Sequence, residues 1–454
     1  MTKIDTKTIF YHLFPLGACG CPRQNDFVSQ PTNRILQVLG WLDHIQGLGC
    51  NAILLGPVFE SSTHGYDTAD YYTVDRRLGT NGDLATLSRA IHERSMALVL
   101  DGVFNHVGRD FWAFKDLQVH GEQSAYVGWF SGLRFDRRSL FGDSFDYDCW
   151  QGNHDLVELN LDNPAVQQHL FEAIRTWKQT YQIDGLRLDA ADALSKDFIR
   201  ALRSFCKEMD PDFWLMAEVI HGDYTQWANP QMADATTSYE LYKSGWSSFN
   251  DHNFFELSYS LTRQFGASGI YTGLKTQYNF LDNHDVSRIA SALKDPAHLE
   301  VLYLLLFTEP GIPSIYYGSE FGFEASKSQN DWELRPEFNV QSMLEAGLHQ
   351  DLRKAIARFA EVRAQLPALQ DGDCTVRLTS LGQIGFTRSL EGQIVLAAFT
   401  NQNSTEKIAV PMPGIAGWKF KNVLGNDEER FVSEKEIFEL NLMPNSGQVW
   451  VSSY

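Results

Sequence analysis

Positive charge is in short supply in this sequence. The 454-residue chain carries 38 Lys and Arg against 57 Asp and Glu, a net charge of -19. Nucleic acids and anionic membranes are held by basic surfaces, so neither is an expected partner, and a neutral ligand suits the charge better. Long apolar runs are missing as well. The amino-terminal stretch MTKIDTKTIFYHLFPLG holds neither a signal-peptide core nor a membrane span. The expected location of the chain as given is therefore cytoplasmic. Cysteine is sparse: Cys19, Cys21, Cys50, Cys149, Cys206 and Cys374 form no CxxC pair. That spacing argues against a disulfide framework and for reduced thiols. Cys19 and Cys21 leave a small metal or redox site open, with ordinary loop thiols the plainer reading. No repeat or low-complexity segment stands out, which argues against a solenoid.

What is present is ordinary globular composition, 43% hydrophobic and 21% charged, with aromatics raised to 13%. Such an aromatic content suits a large core or a surface that stacks on flat ligands. Short apolar strand-like runs alternate with helical stretches, the pattern of a parallel α/β fold. The runs begin with Thr8–Leu16 and continue through NAILLGPVF, MALVLDGVF, IDGLRLDA, DFWLMAEVI, a weak segment at Ala233–Ser238, QYNFLDNHD and GIPSIYYG. Eight candidates predict a (β/α)8 TIM barrel. Between the first two, Ile35, Leu39, Leu42, Ile45 and Leu48 mark one face of a helix.

Two intervals break the alternation. Residues 107–155 are rich in Gly, Asp, Phe and Trp without clear helical period, and read as a subdomain inserted after the third strand. After about Leu366, alternating segments such as CTVRLTSLG and QIVLAAFTNQ predict a C-terminal antiparallel β-sandwich. The expected domains are a barrel over 1–106 and 156–366, the insertion over 107–155, and the sandwich over 367–454.

In a TIM barrel the chemistry lies where strands end. Four strand ends here carry acidic or His-bearing motifs: DGVFNH (Asp101, Asn105, His106), GLRLDAAD (Arg187, Asp189), AEVIHGD (Glu218) and FLDNHD (His284, Asp285). One Asp after a strand is ordinarily a cap or turn former. Several on one rim are different, because crowded carboxylates push one pKa upward. Glycoside hydrolysis uses that arrangement, with one carboxylate as nucleophile and a second, protonated, as acid.

These four motifs, with HGYDTADYYTVD after the second strand and TEPGIPSIYYGSEFG at the eighth, resemble the α-amylase family in order and interval over about residues 8–365. The resemblance implies a glycosidase acting on α-1,4-linked gluco-oligosaccharides, maltodextrins or cyclodextrins, through a covalent glycosyl-enzyme. It implies Asp189 as nucleophile, Arg187 beside it, Glu218 as acid and base, and Asp285 as stabiliser of the transition state. His106 and His284 would bind hydroxyls of the same sugar, Tyr66 would stack on its ring, and His64 lies nearby. Asp331 and Arg335 resemble the pair that bounds this sugar site, and Asp101 and Asn105 would be supporting residues. A transglycosylase on the same scaffold is the alternative reading, and a non-catalytic binding protein a third.

The chemistry requires no cofactor. Many α-amylases carry a Lys-His pair after the nucleophile that serves substrate and calcium; here Asp192 and Ala193 stand there. Asn105, Asp146, Asp148 and Asp155 offer oxygen ligands to a structural calcium ion. Trp112, Trp129 and the Phe residues at 111, 114 and 130 line either a cleft or a small core. Trp246, Phe249, Phe254 and Phe255 are either acceptor-side platforms or loop packing. Chain-length preference and oligomeric state are open, a homo-oligomer among them.

Overall fold

The computed structural model describes residues 3–271, 273–425 and 427–453. Eight short parallel strands form its centre: β1 (Phe10–Leu13), β2 (Ala52–Leu55), β3 (Ala97–Gly102), β4 (Gly185–Leu188), β5 (Trp214–Ala217), β6 (Ala235–Thr236), β7 (Tyr278–Phe280) and β8 (Ile312–Tyr316). Each pairs with its neighbour in sequence from β1 to β6, and β8 joins β7 to β1, with Phe10 opposite both Ala52 and Ser314. Between β6 and β7 a single bridge among the described residues, Thr237 to Tyr278, closes the ring. This is the (β/α)8 barrel predicted from the alternation.

Side chains on a strand alternate between its two faces. Ala97, Val99, Trp214, Met216, Tyr278 and Phe280 fill the barrel interior together with Phe10, Ala52 and Leu54. Two residues further along the same inward series come Asp101 on β3 and Glu218 just past β5. Arg187 on β4 and Asp189 just past it hold the equivalent places. The interior is thus apolar at its base and charged at its C-terminal mouth. The intervening residues, such as Leu98, Leu100, Leu186 and Leu188, pack outward against the helices.

Local sequence explains the helices that brace the ring. After β1 comes one turn, α1 (Pro15–Ala18), with Pro15 at its start. Helix α2 (Asn81–Glu93) opens on a capping box between Thr80 and Asp83 and buries Leu84, Leu87 and Ile91. The helical face predicted over Ile35–Leu48 is two pieces: a 3-10 turn at Arg34–Trp41, then a short α-helix at Leu42–Gly47.

The insertion contains more helix than its composition suggested. Antiparallel pairing of His106–Gly108 with Leu156–Glu158 forms its base, and α3 (Trp112–His120) lies above. Ala113, Phe114 and Leu117 are the buried face of α3; three apolar positions among Gly- and Asp-rich flanks were too few to show a period. Phe111, Phe114 and Phe130 are buried, whereas Trp112 is 39% exposed. The three Phe residues therefore form a core and do not line a cleft.

Two further helices return to the barrel wall. Helix α4 (Pro164–Tyr181) begins with Asn163 accepting from Ala165 N and Pro164 at the first position. In α5 (Lys196–Met209) Ser195 caps Phe198 N, and Phe198, Ile199, Leu202 and Cys206 are buried. Each such Leu or Phe contributes about 2 kcal/mol by leaving water.

Beyond the barrel are β9 (Asp373–Thr379), β10 (Gln383–Leu390), β11 (Gln393–Thr400), β12 (Glu406–Pro411), β13 (Lys419–Asn422), β14 (Glu429–Phe431), β15 (Ile437–Leu442) and β16 (Gly447–Ser453). Six of them form one sheet in the order β9-β10-β11-β16-β13-β14, and β12 pairs with β15. Leu396, Phe420 and Trp450 of the large sheet share a core with Ile408, Val410, Phe438 and Leu440 of the small one. This is the predicted sandwich.

Candidate active site

The register of the ring builds the site. Asp101 on β3 lies opposite Arg187 on β4, and Arg187 lies opposite Met216 on β5. One guanidinium therefore stands between the carboxylates of three successive strand ends. Arg187 Nη1 donates to Asp101 Oδ1 at 2.5 Å and to Asp189 Oδ1 at 3.2 Å. Its Nη2 lies 2.6 Å from Glu218 Oε1. Asp101, Arg187, Asp189 and Glu218 are all at least nine-tenths buried.

One cation among three buried carboxyls leaves an excess of negative charge, and burial favours the neutral acid. Burial pushes the Asp101 carboxyl up, against the pull of Arg187. Burial, and then the Glu218 carboxyl, push Asp189 well above the usual range, again opposed by Arg187. Asp189 and Glu218 thus lie against the same guanidinium, Arg187 Nη1 and Nη2, in one buried cluster.

The third carboxylate differs. Burial pushes Asp285 up too, but the His284 imidazole, Arg335 and Arg187 outweigh it and hold the carboxyl well below the usual range. His284 Nε2 is 2.9 Å from Asp285 Oδ2. Arg335 Nη2 donates to Asp285 Oδ1 at 2.7 Å, and its Nε donates to the His284 carbonyl at 3.0 Å. Asp331 lies 3.7 Å from the same Arg335. The separate motifs FLDNHD and NDWELRP therefore meet in one cluster.

Aromatic rings line the wall between these groups. Tyr66 OH donates to Asp101 Oδ2 at 3.0 Å and also bonds His284 Nε2. Its ring stacks on His284 with centroids 5.5 Å apart and planes at 12°. Burial pushes the Tyr66 phenol well up, so it remains a donor. His64 accepts from Tyr66 N at 3.2 Å through Nδ1 and stays a third exposed. His106 sits at the base of the insertion, 5.5 Å from the Trp150 ring, and Asn105 Nδ2 bonds its Nδ1 at 3.3 Å. Burial, reinforced by His64, lowers the His106 imidazole to about 3. All twelve residues singled out in the sequence thus lie on this mouth or directly behind it.

Three contributors escaped the sequence reading. Phe14 at the end of β1 stacks on His284 at 5.6 Å and lies under the Arg335 guanidinium at 4.6 Å. Its signal was present, since FYHLF is a strand end like the four motifs chosen. Asn283 lies within FLDNHD and was passed over beside His284 and Asp285. Tyr239, 3.5 Å from Glu218 Oε1, had no local signal.

Two sequence alternatives resolve toward packing. Phe249 and Phe254 are fully buried and face each other at 5.1 Å, so neither is an acceptor-side platform. Trp246 packs against the main core, and Phe255 is 54% exposed. The six cysteines are all free, and five are buried.

Three of the oxygen ligands suggested for calcium have protein neighbours. Asp146 and Asp148 lie 3.6 and 3.0 Å from Arg134, and Asn105 is turned to His106. Among the described residues no group of three or more His, Cys, Asp or Glu is placed to hold a metal ion. No step below passes through a calcium ion.

A (β/α)8 barrel with three carboxylates gathered at its C-terminal mouth around one Arg is the architecture of an O-glycosyl hydrolase. Residues 37–364 match the model of the α-amylase catalytic domain. The chain belongs to the α-amylase family of glycosidases. It is 27% identical to a cyclomaltodextrinase of Geobacillus thermopakistaniensis over 90% of this chain and 68% of that protein. It is 28% identical to an intracellular maltogenic amylase of Bacillus subtilis over 86% of this chain and 65% of that protein. The chain thus spans about two thirds of the length of these relatives. The cyclic α-maltosyl-(1→6)-maltose hydrolase of Arthrobacter globiformis, solved with that cyclic sugar, superposes with a TM-score of 0.82 at 25% identity, covering 99% of this chain and 100% of the other.

Proposed function

We propose that this protein hydrolyses short or cyclic α-1,4-linked gluco-oligosaccharides with retention of configuration. The observation that carries the reading is Arg187 touching both Asp189 and Glu218. Two carboxyls held against one cation can supply a nucleophile and an acid together. The relatives named as cyclomaltodextrinase, maltogenic amylase and cyclic maltosyl-maltose hydrolase support the substrate class.

In this mechanism Asp189 attacks the anomeric carbon while Glu218 protonates the departing glycosidic oxygen. Glu218 then takes a proton from water, which releases the sugar from Asp189. Asp285, kept ionised by His284 and Arg335, accepts from ring hydroxyls and faces the positive charge that develops at the anomeric carbon. His106, neutral at working pH, offers a nitrogen to the same sugar, and Tyr66 supplies the stacking face. Asp331 and Arg335 bound the site on the far side. No helix among the described residues is long and apolar enough to cross a membrane. Action inside the cell is part of the proposal, supported by the Bacillus subtilis relative named intracellular.

The test is a product profile over time from maltotriose, maltoheptaose and a cyclodextrin, for wild type and Asp189→Asn. Short products from wild type, and loss of turnover by several orders of magnitude in the variant, are expected. Products longer than the starting sugar would replace hydrolysis with transfer; undiminished turnover by Asp189→Asn would remove Asp189 from the chemistry.

A further inference from the structure

We infer that Tyr239, steered by Asn283, is a positioning residue that decides which oxygen of Glu218 delivers the proton. The inference rests on the reading of Glu218 as general acid. Tyr239 opens a helix, α6 (Tyr239–Asn250), that begins three residues past β6. Its side chain is buried, with its ring edge-on to Phe280 at 5.0 Å and to Tyr242 at 6.2 Å.

The direction of its hydroxyl hydrogen follows from its partners. Asn283 Nδ2 donates to the Tyr239 oxygen at 3.2 Å. Since that oxygen accepts from Asn283, its own hydrogen is free to point to Glu218 Oε1, 3.5 Å away. That distance is long for a hydroxyl donor, and bonds to catalytic groups tighten in the substrate complex. Asn283 is fixed in turn, because its Oδ1 accepts from Asp285 N at 2.8 Å. Two side chains thus tie the loop of the third carboxylate to the second.

Counting acceptor sites gives the consequence. Each carboxylate oxygen offers about two lone-pair positions. On Glu218 Oε1, Arg187 and Tyr239 occupy both. Oε2 receives Ala190 N at 3.0 Å, which leaves one position for the acidic hydrogen. Ala190 is held at φ +45°, a costly conformation for a residue with a Cβ, and it directs this amide. In the reaction the Oε2–H bond breaks, the hydrogen joins the bridging oxygen, and the electron pair of the anomeric C–O bond leaves with that oxygen. Asp189 forms the new bond to carbon. Without the Tyr239 hydroxyl, Oε1 regains a free position and competes for the hydrogen, pointing it away from the leaving group.

The test compares kcat/KM of Tyr239→Phe and Asn283→Asp on maltotriose and on α-maltosyl fluoride. Maltotriose needs a protonated leaving group and fluoride does not, while kcat/KM covers only the steps through cleavage of the first bond. Asn283→Asp keeps the acceptor for Asp285 N but draws the Tyr239 hydroxyl to the new carboxylate. Both variants are expected to lose roughly tenfold or more on maltotriose, a part of what a general acid contributes, and to stay within about twofold on the fluoride. Equal losses on both substrates would mark a merely structural role and overturn the inference, as would no loss on either. Glu218→Gln is the control. If it spares maltotriose, the assignment of Glu218 falls and takes this inference with it; if it behaves as an acid variant and Tyr239→Phe does not, only the inference falls.

Discussion

Arg335 reaches across 50 residues of sequence to Asp285, donating from Nη2 at 2.7 Å while its Nε holds the carbonyl of the adjacent His284. Asp285 is thereby fixed from its side chain and from the backbone beside it. Arg335→Met keeps the volume and removes both bonds. Charge-assisted bonds contribute about 1.5–3 kcal/mol each, so kcat/KM on maltoheptaose should fall at least tenfold. Arg335→Lys keeps the charge but loses the fork, and should fall between wild type and Met. Steady-state kinetics would decide; a Lys variant equal to wild type would show that charge alone matters.

Gly17 is expected to be intolerant of any side chain. A Cβ there would lie 2.0 Å from the Arg335 carbonyl oxygen, and backbone cannot swing aside as a side-chain tip can. Gly17→Ala must push α1 away from the segment that carries Arg335. A stability loss of about 1–3 kcal/mol in urea is expected, with a fall in activity at temperatures where the variant is still folded. A variant as active and stable as wild type would disprove the close approach.

His106 should make the folded chain less tolerant of mild acid. His106 is neutral in the folded chain, lowered to about 3 by burial, whereas in the unfolded chain it titrates near 6.5. Its contribution is complete above about 6.5 and is lost as pH falls toward 3, because only the unfolded state gains the proton. The slope is about 1.4 kcal/mol per pH unit for one such group. Urea titrations of His106→Asn between pH 6 and 4 should show a stability curve flatter by that amount. An unchanged slope would mean that His106 is protonated in the folded chain.

Chelation is expected to have no effect. Arg134 occupies the neighbourhood of Asp146 and Asp148 that a divalent cation would need. Melting scans with EDTA and with millimolar calcium should coincide. An ion present at a hundred times its Kd would add about 2.7 kcal/mol, so a rise in melting temperature with calcium would reveal a site the side chains do not suggest.

The residues legible in the sequence were those whose position follows from strand parity. Arg187 and Asp189 are two apart at the end of an apolar run, so both had to face the same side, and β4 places them there. Glu218 and Asp101 follow the same parity on neighbouring strands. Tyr239 was illegible because its role depends on β6 being two residues long, which brings the first turn of α6 to the barrel mouth. Phe14 was missed for the opposite reason: its motif was visible, but an uncharged ring at a strand end looks like core. In the insertion, aromatic abundance admitted both a cleft and a core, and only burial separated Phe111 and Phe114 from Trp112.

The closure of the ring at one bridge, Thr237 to Tyr278, has a thermal consequence. A barrel whose other staves share two to four paired residues will part first where it shares one. Glu218 and Tyr239 stand on one side of that seam, and Asn283 and Asp285 on the other. Brief parting would pull the reacting groups out of alignment while the remaining strands stay paired. Catalysis on warming should therefore fade several degrees below the loss of helical signal, and the amide of Ser238, which donates across the seam to the Tyr278 carbonyl, should exchange with deuterium ahead of those in β1 to β4. The enzyme would lose its craft before it loses its shape.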